Sequence, residues 1–245
     1  MKRQDMLKLP ISIITLIAIL GSTAVATAEY ISINGVDGSY DMYAGDFSDI
    51  LGSSDHQFSM SDLDILAATL NNDGIDTMGK LSFILASTDA GMSLIGLFDG
   101  IPINNPIGSN PNQFLGVSST TSTTTNWFAT GDTGSQTDWY DMGNGTQLVN
   151  AYLGWDHGQT SAAFAWGDVG AAPTGTVNLY DIDLTEFAGE PIQFLTYQGE
   201  QWDVAGSANF SVLGQYAFSY QFVPTPGALA LLSVAGLVGY RRRRL

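Results

Sequence analysis

Cysteine is absent from this chain of 245 residues. Its absence excludes disulfide bridges, zinc–thiolate centres and thiol nucleophiles, so a folded domain must be stabilised by the packing of apolar side chains. The composition permits such packing, because 44% of the residues are hydrophobic and 11% are aromatic. The length suits one domain or two small ones.

Basic residues are almost absent between the two ends of the chain. Three of the eight lysines and arginines lie near the N-terminus and four near the C-terminus, which leaves Lys80 as the single base between them. Residues 29–223 carry 23 of the 24 acids and one base, a formal charge of −22. Such a surface repels nucleic acid and anionic lipid and attracts cations, so nucleic acid is excluded as a partner.

Histidine is also scarce, because the chain contains only His56 and His157. The two lie too far apart in sequence to form a metal-binding motif, and there is no G-x-S-x-G pattern for a serine nucleophile. The sequence therefore contains no specific catalytic motif, and we expect a protein that is not an enzyme.

Residues 1–28 have the three parts of a secretory signal peptide. A basic start precedes an apolar run over residues 11–20, and Ala26 and Ala28 supply the small side chains of an A-x-A cleavage site. The apolar run is shorter than the roughly 20 residues that span a bilayer, which favours a cleaved signal over an uncleaved anchor helix. We predict that signal peptidase cuts after Ala28 and that the mature chain is exported.

Residues 223–245 combine a proline motif, an apolar stretch and an arginine cluster. The motif consists of Val223, Pro224, Thr225 and Pro226, and the cluster consists of Arg241, Arg242, Arg243 and Arg244. A helix over residues 227–240 would be about 21 Å long, and snorkelling arginines would extend it toward the ~30 Å of a bilayer core. Because arginines are held on the cytoplasmic side, we predict a transmembrane helix that retains the exported domain outside. A buried helix with a basic tail is the alternative.

In the order of these parts, residues 223–245 resemble a PEP-CTERM sorting signal, with Thr225 where the name-giving motif has glutamate. The resemblance implies that an exosortase-like membrane enzyme recognises the segment and cuts near the proline motif. It also implies a bacterial, exported protein that is tied to exopolysaccharide or biofilm matrix. It does not extend to the domain before it.

Residues 29–222 contain short apolar runs separated by glycine, asparagine, aspartate and serine, a pattern typical of short strands with polar turns. The predicted strands are 30–36, 80–85, 93–98, 147–153, 162–166, 177–179, 192–197, 202–204, 210–213 and 218–222. This pattern favours a mainly β ectodomain, an antiparallel β-sandwich of jelly-roll type.

One short helix is expected beside these strands. Ser61 is its candidate N-cap, with Asp62 and Asp64 in the first turn. One helix face carries Leu63, Leu66, Ala67 and Leu70. The polar stretch 71–74, which ends in glycine, is expected to stop the helix.

Residues 118–125 are all serine or threonine. We expect a surface loop here, and a glycosylated tract or a threonine-rich edge strand are the alternatives.

Two pairs of carboxylates are candidate calcium ligands. Asp73 and Asp76 lie in a stretch that resembles part of a calcium loop, although it does not match the EF-hand spacing and a helix-to-strand turn is favoured. Asp181 and Asp183 would point to one face of a strand about 6.6 Å apart, where they could bind a cation, act as an acid–base pair or simply be solvated. Calcium is therefore the one candidate cofactor.

Three tryptophans, Trp127, Trp139 and Trp155, lie in polar, glycine-rich stretches. The same stretches contain Asp132, Asp138, Asp141 and Asp156. Indole rings stack on the apolar C–H faces of sugars while carboxylates bind sugar hydroxyls, so these residues form a candidate glycan site. The alternative is that the tryptophans fill the core of the sandwich.

Together these features predict an exported envelope or matrix protein that is processed at its C-terminus and has a structural or interaction role linked to exopolysaccharide. A carbohydrate-binding module that uses exposed tryptophans is the second hypothesis. A secreted glycosidase, which would need two facing carboxylates in a cleft, is the third.

Overall fold

A computed structural model describes residues 29–47, 59–88, 91–99, 112–122, 126–130, 136–143, 147–156, 161–180 and 192–224. The stretch Glu29–Pro224 is one compact unit. The predicted signal peptide, the sorting segment from Thr225 onward, the pair Asp181 and Asp183 and both histidines lie outside the described residues. Within the described blocks, no helix is both long enough and apolar enough to cross a membrane.

The described blocks contain fourteen strands and one helix, which confirms the prediction of a mainly β fold with a single helix. The strands are β1 (Tyr30–Gly35), β2 (Gly38–Tyr43), β3 (Gly45–Asp46), β4 (Lys80–Thr88), β5 (Gly91–Asp99), β6 (Asn112–Thr121), β7 (Asn126–Thr130), β8 (Gln136–Asp141), β9 (Gln147–Asp156), β10 (Ser161–Gly167), β11 (Thr174–Tyr180), β12 (Ile192–Gln198), β13 (Gln201–Ala208) and β14 (Tyr216–Val223). The helix, α1, spans Met60–Asn72.

These strands form two sheets. Sheet I has the order β2-β1-β14-β11-β6-β9-β8, and every neighbouring pair in it is antiparallel. Sheet II has the order β13-β12-β4-β5-β10-β7, with β3 added beside β4. Antiparallel pairing was expected throughout, but β12 and β3 both run parallel to β4. A parallel neighbour requires a crossover connection of a dozen or more residues, and 33 residues, with α1 among them, lie between β3 and β4.

The two sheets face each other across one apolar core. The alternation of a β-strand points Ile31 and Ile33 of β1 to the same side, and both are fully buried. Phe83 of sheet II contacts Phe218 of sheet I edge to face, with ring centroids 4.8 Å apart. The largest side chains buried in this core are Trp166, Tyr220, Phe83, Phe98, Phe164 and Phe194.

Helix α1 covers the other face of sheet II. Leu63, Leu66 and Leu70 are fully buried, and they pack in a second apolar cluster with residues of β4, β5 and β10. The centre of sheet II is therefore buried on both faces, and β4 and β5 are buried along almost their whole length. This burial explains why these two strands have nearly continuous apolar sequences, without the polar alternation of a strand that faces water.

The N-cap of helix α1 lies two residues earlier than the sequence suggests. The predicted cap, Ser61, lies inside the helix, and the N-cap is Ser59. The Ser59 N–H donates to the Asp62 carboxylate at 2.8 Å, while the Asp62 N–H donates to the Ser59 hydroxyl at 3.2 Å. These reciprocal bonds are a capping box, which satisfies two donors at the start of the helix. The expected stop is confirmed, because the helix ends at Asn72.

Two predictions about irregular segments are wrong. Residues 210–213, expected to be a strand, form a turn in which Val212 and Leu213 are exposed. Residues 118–121, expected to begin a surface loop, are the last four residues of β6, which lies between β11 and β9 in sheet I. Threonine fits a strand that has one face in water, and β6 is such a strand without being at an edge.

Candidate functional site

The outer face of sheet I, the face away from the core, is polar and uncharged at its centre. Four neighbouring strands, β1, β14, β11 and β6, place only hydroxyl- and amide-bearing side chains on most of this face. We call this set the polar face, and its members are Ser32, Asn34, Ser118, Thr120, Thr174, Thr176, Asn178, Ser219 and Gln221.

The polar face is ordered in rows across the strands. Asn34, Ser219, Thr176 and Thr120 are successive register partners and form one row. A second row runs through Ser32, Gln221 and Thr174. Since neighbouring strands lie about 4.8 Å apart, four strands present hydroxyl and amide groups over a width of about 14 Å.

Carboxylates flank the polar face without entering it. On one side, Asp41 of β2 pairs with Ser32, and it is exposed. On the other side, Asp138 of β8 is exposed and pairs with Asn150. The polar face is therefore an uncharged area at the centre of sheet I in a strongly acidic domain.

A shallow depression of about 630 Å³ lies on the polar face. Its walls come from Asn34 and from short runs of β6, β11 and β14. Two side chains that line this depression have hydrogen-bond partners: the Ser39 hydroxyl donates to the Asn34 side-chain oxygen at 2.7 Å, and the Thr174 backbone N–H donates to the Ser122 hydroxyl at 3.3 Å. These bonds hold the Asn34 amide and the Ser122 hydroxyl in place.

A second cavity, also of about 630 Å³, lies where β1 turns into β2. We call it the end pocket, and it is lined by Val36, Asp37, Asn178, Leu179, Tyr180, Asn209, Phe210, Ser211, Gln215, Tyr216 and Ala217. Three segments therefore meet around it: the β1–β2 turn, the end of β11 and the segment that precedes β14.

The turn over residues 211–215 forms one wall of the end pocket and is closed by its own hydrogen bonds. Ser211 N–H donates to the Gln215 carbonyl at 2.8 Å, and the Ser211 hydroxyl accepts from the N–H groups of Leu213 and Gln215, each at 3.3 Å. Gly214 has a φ of +66°, which favours glycine at this position. This compact turn is why the apolar residues of 210–213 do not pair as a strand.

Tyr216 is buried at the inner side of the end pocket. Its side chain is 4% exposed, and its hydroxyl has no hydrogen-bond partner among the described residues. Burial, together with the nearby Asp37 carboxylate, raises the pKa of Tyr216 above its ordinary value. The hydroxyl lies against the backbone, since a Cβ added to Gly35 would be 2.2 Å from it. The ring packs against Phe194 and Phe218, so this side chain lies on the core side of sheet I.

The candidate calcium ligands Asp73 and Asp76 lie at the exit of α1. Asp73 is the C-cap residue, and its N–H donates to carbonyls of the last helical turn. The Asp76 carboxylate accepts from Met78 N–H at 3.2 Å and forms a salt bridge of 3.1 Å with Lys80. The single base of the domain thus already binds one of the two carboxylates. Among the described residues, no three histidine, aspartate or glutamate side chains cluster to hold a metal ion.

The three candidate sugar-stacking tryptophans lie on different strands. Trp127 is in β7 opposite Trp166, Trp139 is in β8 opposite Val149, and Trp155 is in β9 opposite Gln113. Their side chains lie outside the described residues. Asp138 and Asp141 belong to the same strand as Trp139, β8, and both are exposed.

The end pocket was missed in the sequence because its residues come from three separated stretches. The available signal was local: a Gly-Val-Asp-Gly turn after β1, and a Ser-x-x-Gly turn before β14. Nothing in either turn shows that the two meet, because only the pairing of β1 with β14 brings them to the same end of sheet I.

No known protein family, no curated protein and no solved structure matches this chain. Function is therefore inferred from the chemistry of the polar face and the end pocket.

Proposed function

We propose that this chain is an exported cell-envelope or matrix protein that binds exopolysaccharide without modifying it. Its N-terminal 28 residues are removed by signal peptidase. Its last residues, 223–245, act as a sorting signal that an exosortase-like membrane enzyme recognises and cuts. The arginine cluster at residues 241–244 retains the precursor in the membrane until that step, with the domain outside.

The uncharged polar face of sheet I carries the binding part of this proposal. Polysaccharides present hydroxyl groups that both donate and accept hydrogen bonds, and Ser, Thr, Asn and Gln side chains do the same. A neutral polymer can bind this face without removing water from a charged group. Removing water from a charge is the most costly kind of desolvation, and the domain as a whole has a charge of −22. Each bond contributes only about 1 kcal/mol, so binding depends on many bonds along an extended chain.

The fold is compatible with this role. We propose that the two facing sheets are a jelly-roll-like sandwich, an architecture that lectin domains also use. Sheet II is covered by α1, so sheet I offers the open face. A carbohydrate-binding module that stacks sugars on Trp127, Trp139 and Trp155 is the second candidate for the same class of ligand.

Co-sedimentation of the purified full-length protein with insoluble polysaccharides tests the binding. A neutral glucan should retain the protein, while an anionic polyuronate should not. Gln221→Glu adds one charge to the polar face with almost no change of shape, and we expect about tenfold weaker binding to the glucan. Gln201→Glu makes the same change at an exposed position of β13 in sheet II and should bind like the unchanged protein.

Equal binding of the two glutamate variants would show that the polar face is not the binding site. Loss of binding in Trp127→Ala, Trp139→Ala or Trp155→Ala alone would favour stacking on tryptophan. Release of reducing sugar during incubation would support a glycosidase.

The export step is tested by N-terminal sequencing of the mature protein. We expect a sequence that begins at Glu29, and a sequence that still begins at Met1 would contradict the removal of a signal peptide.

A further inference from the structure

The end pocket adjoins the polar face and shares Asn178 with it, but it differs from that face in its chemistry. The polar face is a flat array of hydroxyls and amides, whereas the end pocket combines a carboxylate, three amides and aromatic rings around one cavity. Small-ligand sites have this character: a mostly apolar concave wall with a few converging polar groups that fix the orientation of the ligand.

The polar groups of the end pocket reach it from all three segments. Asp37 comes from the β1–β2 turn, Asn178 from β11, and Asn209 and Gln215 from the segment before β14; all four are exposed. Carboxylates accept, and amides both donate and accept, so the set can bind adjacent hydroxyls of a sugar ring from several directions.

The apolar wall of the end pocket includes the ring of Tyr180, which sheet I fixes in position. Tyr180 is the register partner of Gly116, and a Cβ on that glycine would lie 2.2 Å from the Tyr180 ring. The ring is therefore fixed against the backbone of β6. A fixed ring loses little conformational entropy when a ligand packs on it. Val36, which is 79% exposed, adds apolar surface at the rim of the pocket.

The base of the end pocket is part of the sandwich core. Tyr216 is among the residues that line the cavity, and its buried ring packs between the sheets against Phe194 and Phe218. The base of the pocket is therefore held rigidly by the core.

The pocket also selects by charge. Asp37 is the charged residue among those that line it, and the domain's one base, Lys80, is paired with Asp76 at the exit of α1. Sugars that carry a carboxylate would meet uncompensated repulsion here, whereas neutral sugars would not and amine-bearing sugars would be attracted.

The direction of the strands places the end pocket far from the point where the chain leaves the domain. Tyr30 pairs with Val223, so the start of β1 and the end of β14 lie side by side. Gly35 and Tyr216 are at the opposite ends of the same strands, next to the pocket. At about 3.4 Å per residue, the eight residues of β14 separate the two ends by roughly 24 Å.

We propose that the end pocket binds a single neutral or amine-bearing sugar unit of the polysaccharide, with Asp37, Asn178 and Gln215 binding its hydroxyl or amine groups and Tyr180 packing against its apolar face. This proposal rests on the proposed function, and it adds a specific site for one sugar unit to the extended contact made by the polar face.

Titration of the purified full-length protein with four methyl glycosides, of glucose, N-acetylglucosamine, glucosamine and glucuronate, tests the proposal by saturation-transfer NMR and calorimetry. We expect binding of the first three and none of glucuronate. Asp37→Asn should weaken glucosamine binding about tenfold, the effect of losing one charge-assisted hydrogen bond. Asp203→Asn makes the same change at an exposed position of β13 and should have no effect.

The two proposals can fail separately. If the protein sediments with neutral glucan in a Gln221-dependent manner but binds none of the four glycosides, the end pocket is not a sugar site and the proposed function stands. Equal glucosamine affinity in Asp37→Asn and Asp203→Asn would also overturn the pocket proposal. If glycosides bind through Asp37 while the glucan is not retained, the pocket is supported and the role of the polar face is wrong.

Discussion

At the scale of single residues, glycine and aromatic side chains work as pairs in this domain. Three glycines lie directly opposite a ring on the neighbouring strand: Gly96 opposite Phe164, Gly116 opposite Tyr180 and Gly175 opposite Tyr220. In each pair a Cβ on the glycine would lie within 2.4 Å of the ring. The ring therefore occupies the space that the missing side chain leaves, which offsets the low strand propensity of glycine.

The pair in β11 and β14 gives a direct prediction. Gly175→Ala would place a Cβ 2.4 Å from the ring of Tyr220, which is 2% exposed and has no room to move. We expect a loss of about 1–3 kcal/mol in the free energy of unfolding, as for other overpacked cores. Denaturant unfolding measures it, with the exposed neighbour Thr176→Ala as the control that should change stability little. Equal effects of the two variants would contradict the close packing.

Tyr220 also predicts how stability depends on alkaline pH. Burial, partly offset by a hydrogen bond with Trp166, raises the pKa of Tyr220 from 10.0 to about 12. Between these values the unfolded chain loses the phenolic proton and the folded chain keeps it, so the unfolded state binds fewer protons and stability falls as pH rises. The free energy of unfolding should therefore be level below pH 10 and should decrease from pH 10 toward 12.

Denaturant unfolding at a series of pH values measures this slope. Tyr220→Phe removes the titrating group and should reduce the slope, although it also loses the bond that the Tyr220 hydroxyl donates to the Ala172 carbonyl at 3.2 Å. Tyr140→Phe, at an exposed position of β8, is the control and should leave the slope unchanged. The same slope in the Tyr220 variant would mean that other groups dominate the alkaline transition.

At the scale of elements, the start of α1 depends on a single capping box. Ser59→Ala removes the hydroxyl that accepts from Asp62 N–H, so we expect a loss of about 1 kcal/mol in the free energy of unfolding. Ser61→Ala is the matched control: it lies inside the helix, where alanine is favourable, and should be neutral or slightly stabilising. Thermal unfolding of both variants shows which serine caps the helix. A larger loss of stability in Ser61→Ala would indicate that Ser61 is the N-cap, as the sequence predicts.

The strands show which elements a sequence pattern can reveal. Nine of the ten predicted strands coincide with strands of the structure; the exception is the apolar stretch 210–213, which forms a turn. The pattern missed β2, β3, β6, β7 and β8. In β2 and β6, residues that face water are polar and residues that face the core are few, so the apolar alternation is weak in the sequence. What stabilises them is pairing with β1, β9 and β11, a non-local property.

At the scale of the whole molecule, the sorting segment gives a prediction about retention. Replacing all four arginines 241–244 with glutamine removes the charge that holds the segment at the cytoplasmic face, so the domain should be released early and unprocessed. Replacement with lysine keeps the charge and should preserve retention. Cell fractionation with immunoblotting measures both. If the glutamine variant is located and processed like the unchanged protein, the arginine cluster is not a retention signal.

The acidity of the domain gives a prediction about cations. The domain has twenty-three acids and only one lysine to offset them, and the acids repel one another more in the folded domain than in the expanded chain. Calcium that binds the folded state should therefore raise the melting temperature. Thermal unfolding should be followed at fixed ionic strength, with and without millimolar calcium, because salt alone screens charge over about 8 Å at ~0.15 M.

Variants show where any calcium binds. The Asp76 carboxylate already binds Lys80, so Asp73→Asn, Asp181→Asn and Asp183→Asn are the sharper tests. A rise in melting temperature that chelator reverses and that one of these variants abolishes would support a specific site. If sodium at matched ionic strength reproduces the whole effect, the acids act only as a solvated surface.

The sequence by itself determined the class of the fold: a mainly β domain with one helix, whose apolar face is Leu63, Leu66, Ala67 and Leu70, all buried as expected. These features are local, because a period of two or of 3.6 residues is visible in one stretch of chain. Only the tertiary structure decided that sheet II is covered by α1, that sheet I keeps an open uncharged face, and that Asp37, Asn178 and Gln215 meet at one cavity. Such groupings depend on the order and register of strands far apart in sequence, and strand order is set by how whole faces are buried, which no single stretch of residues encodes.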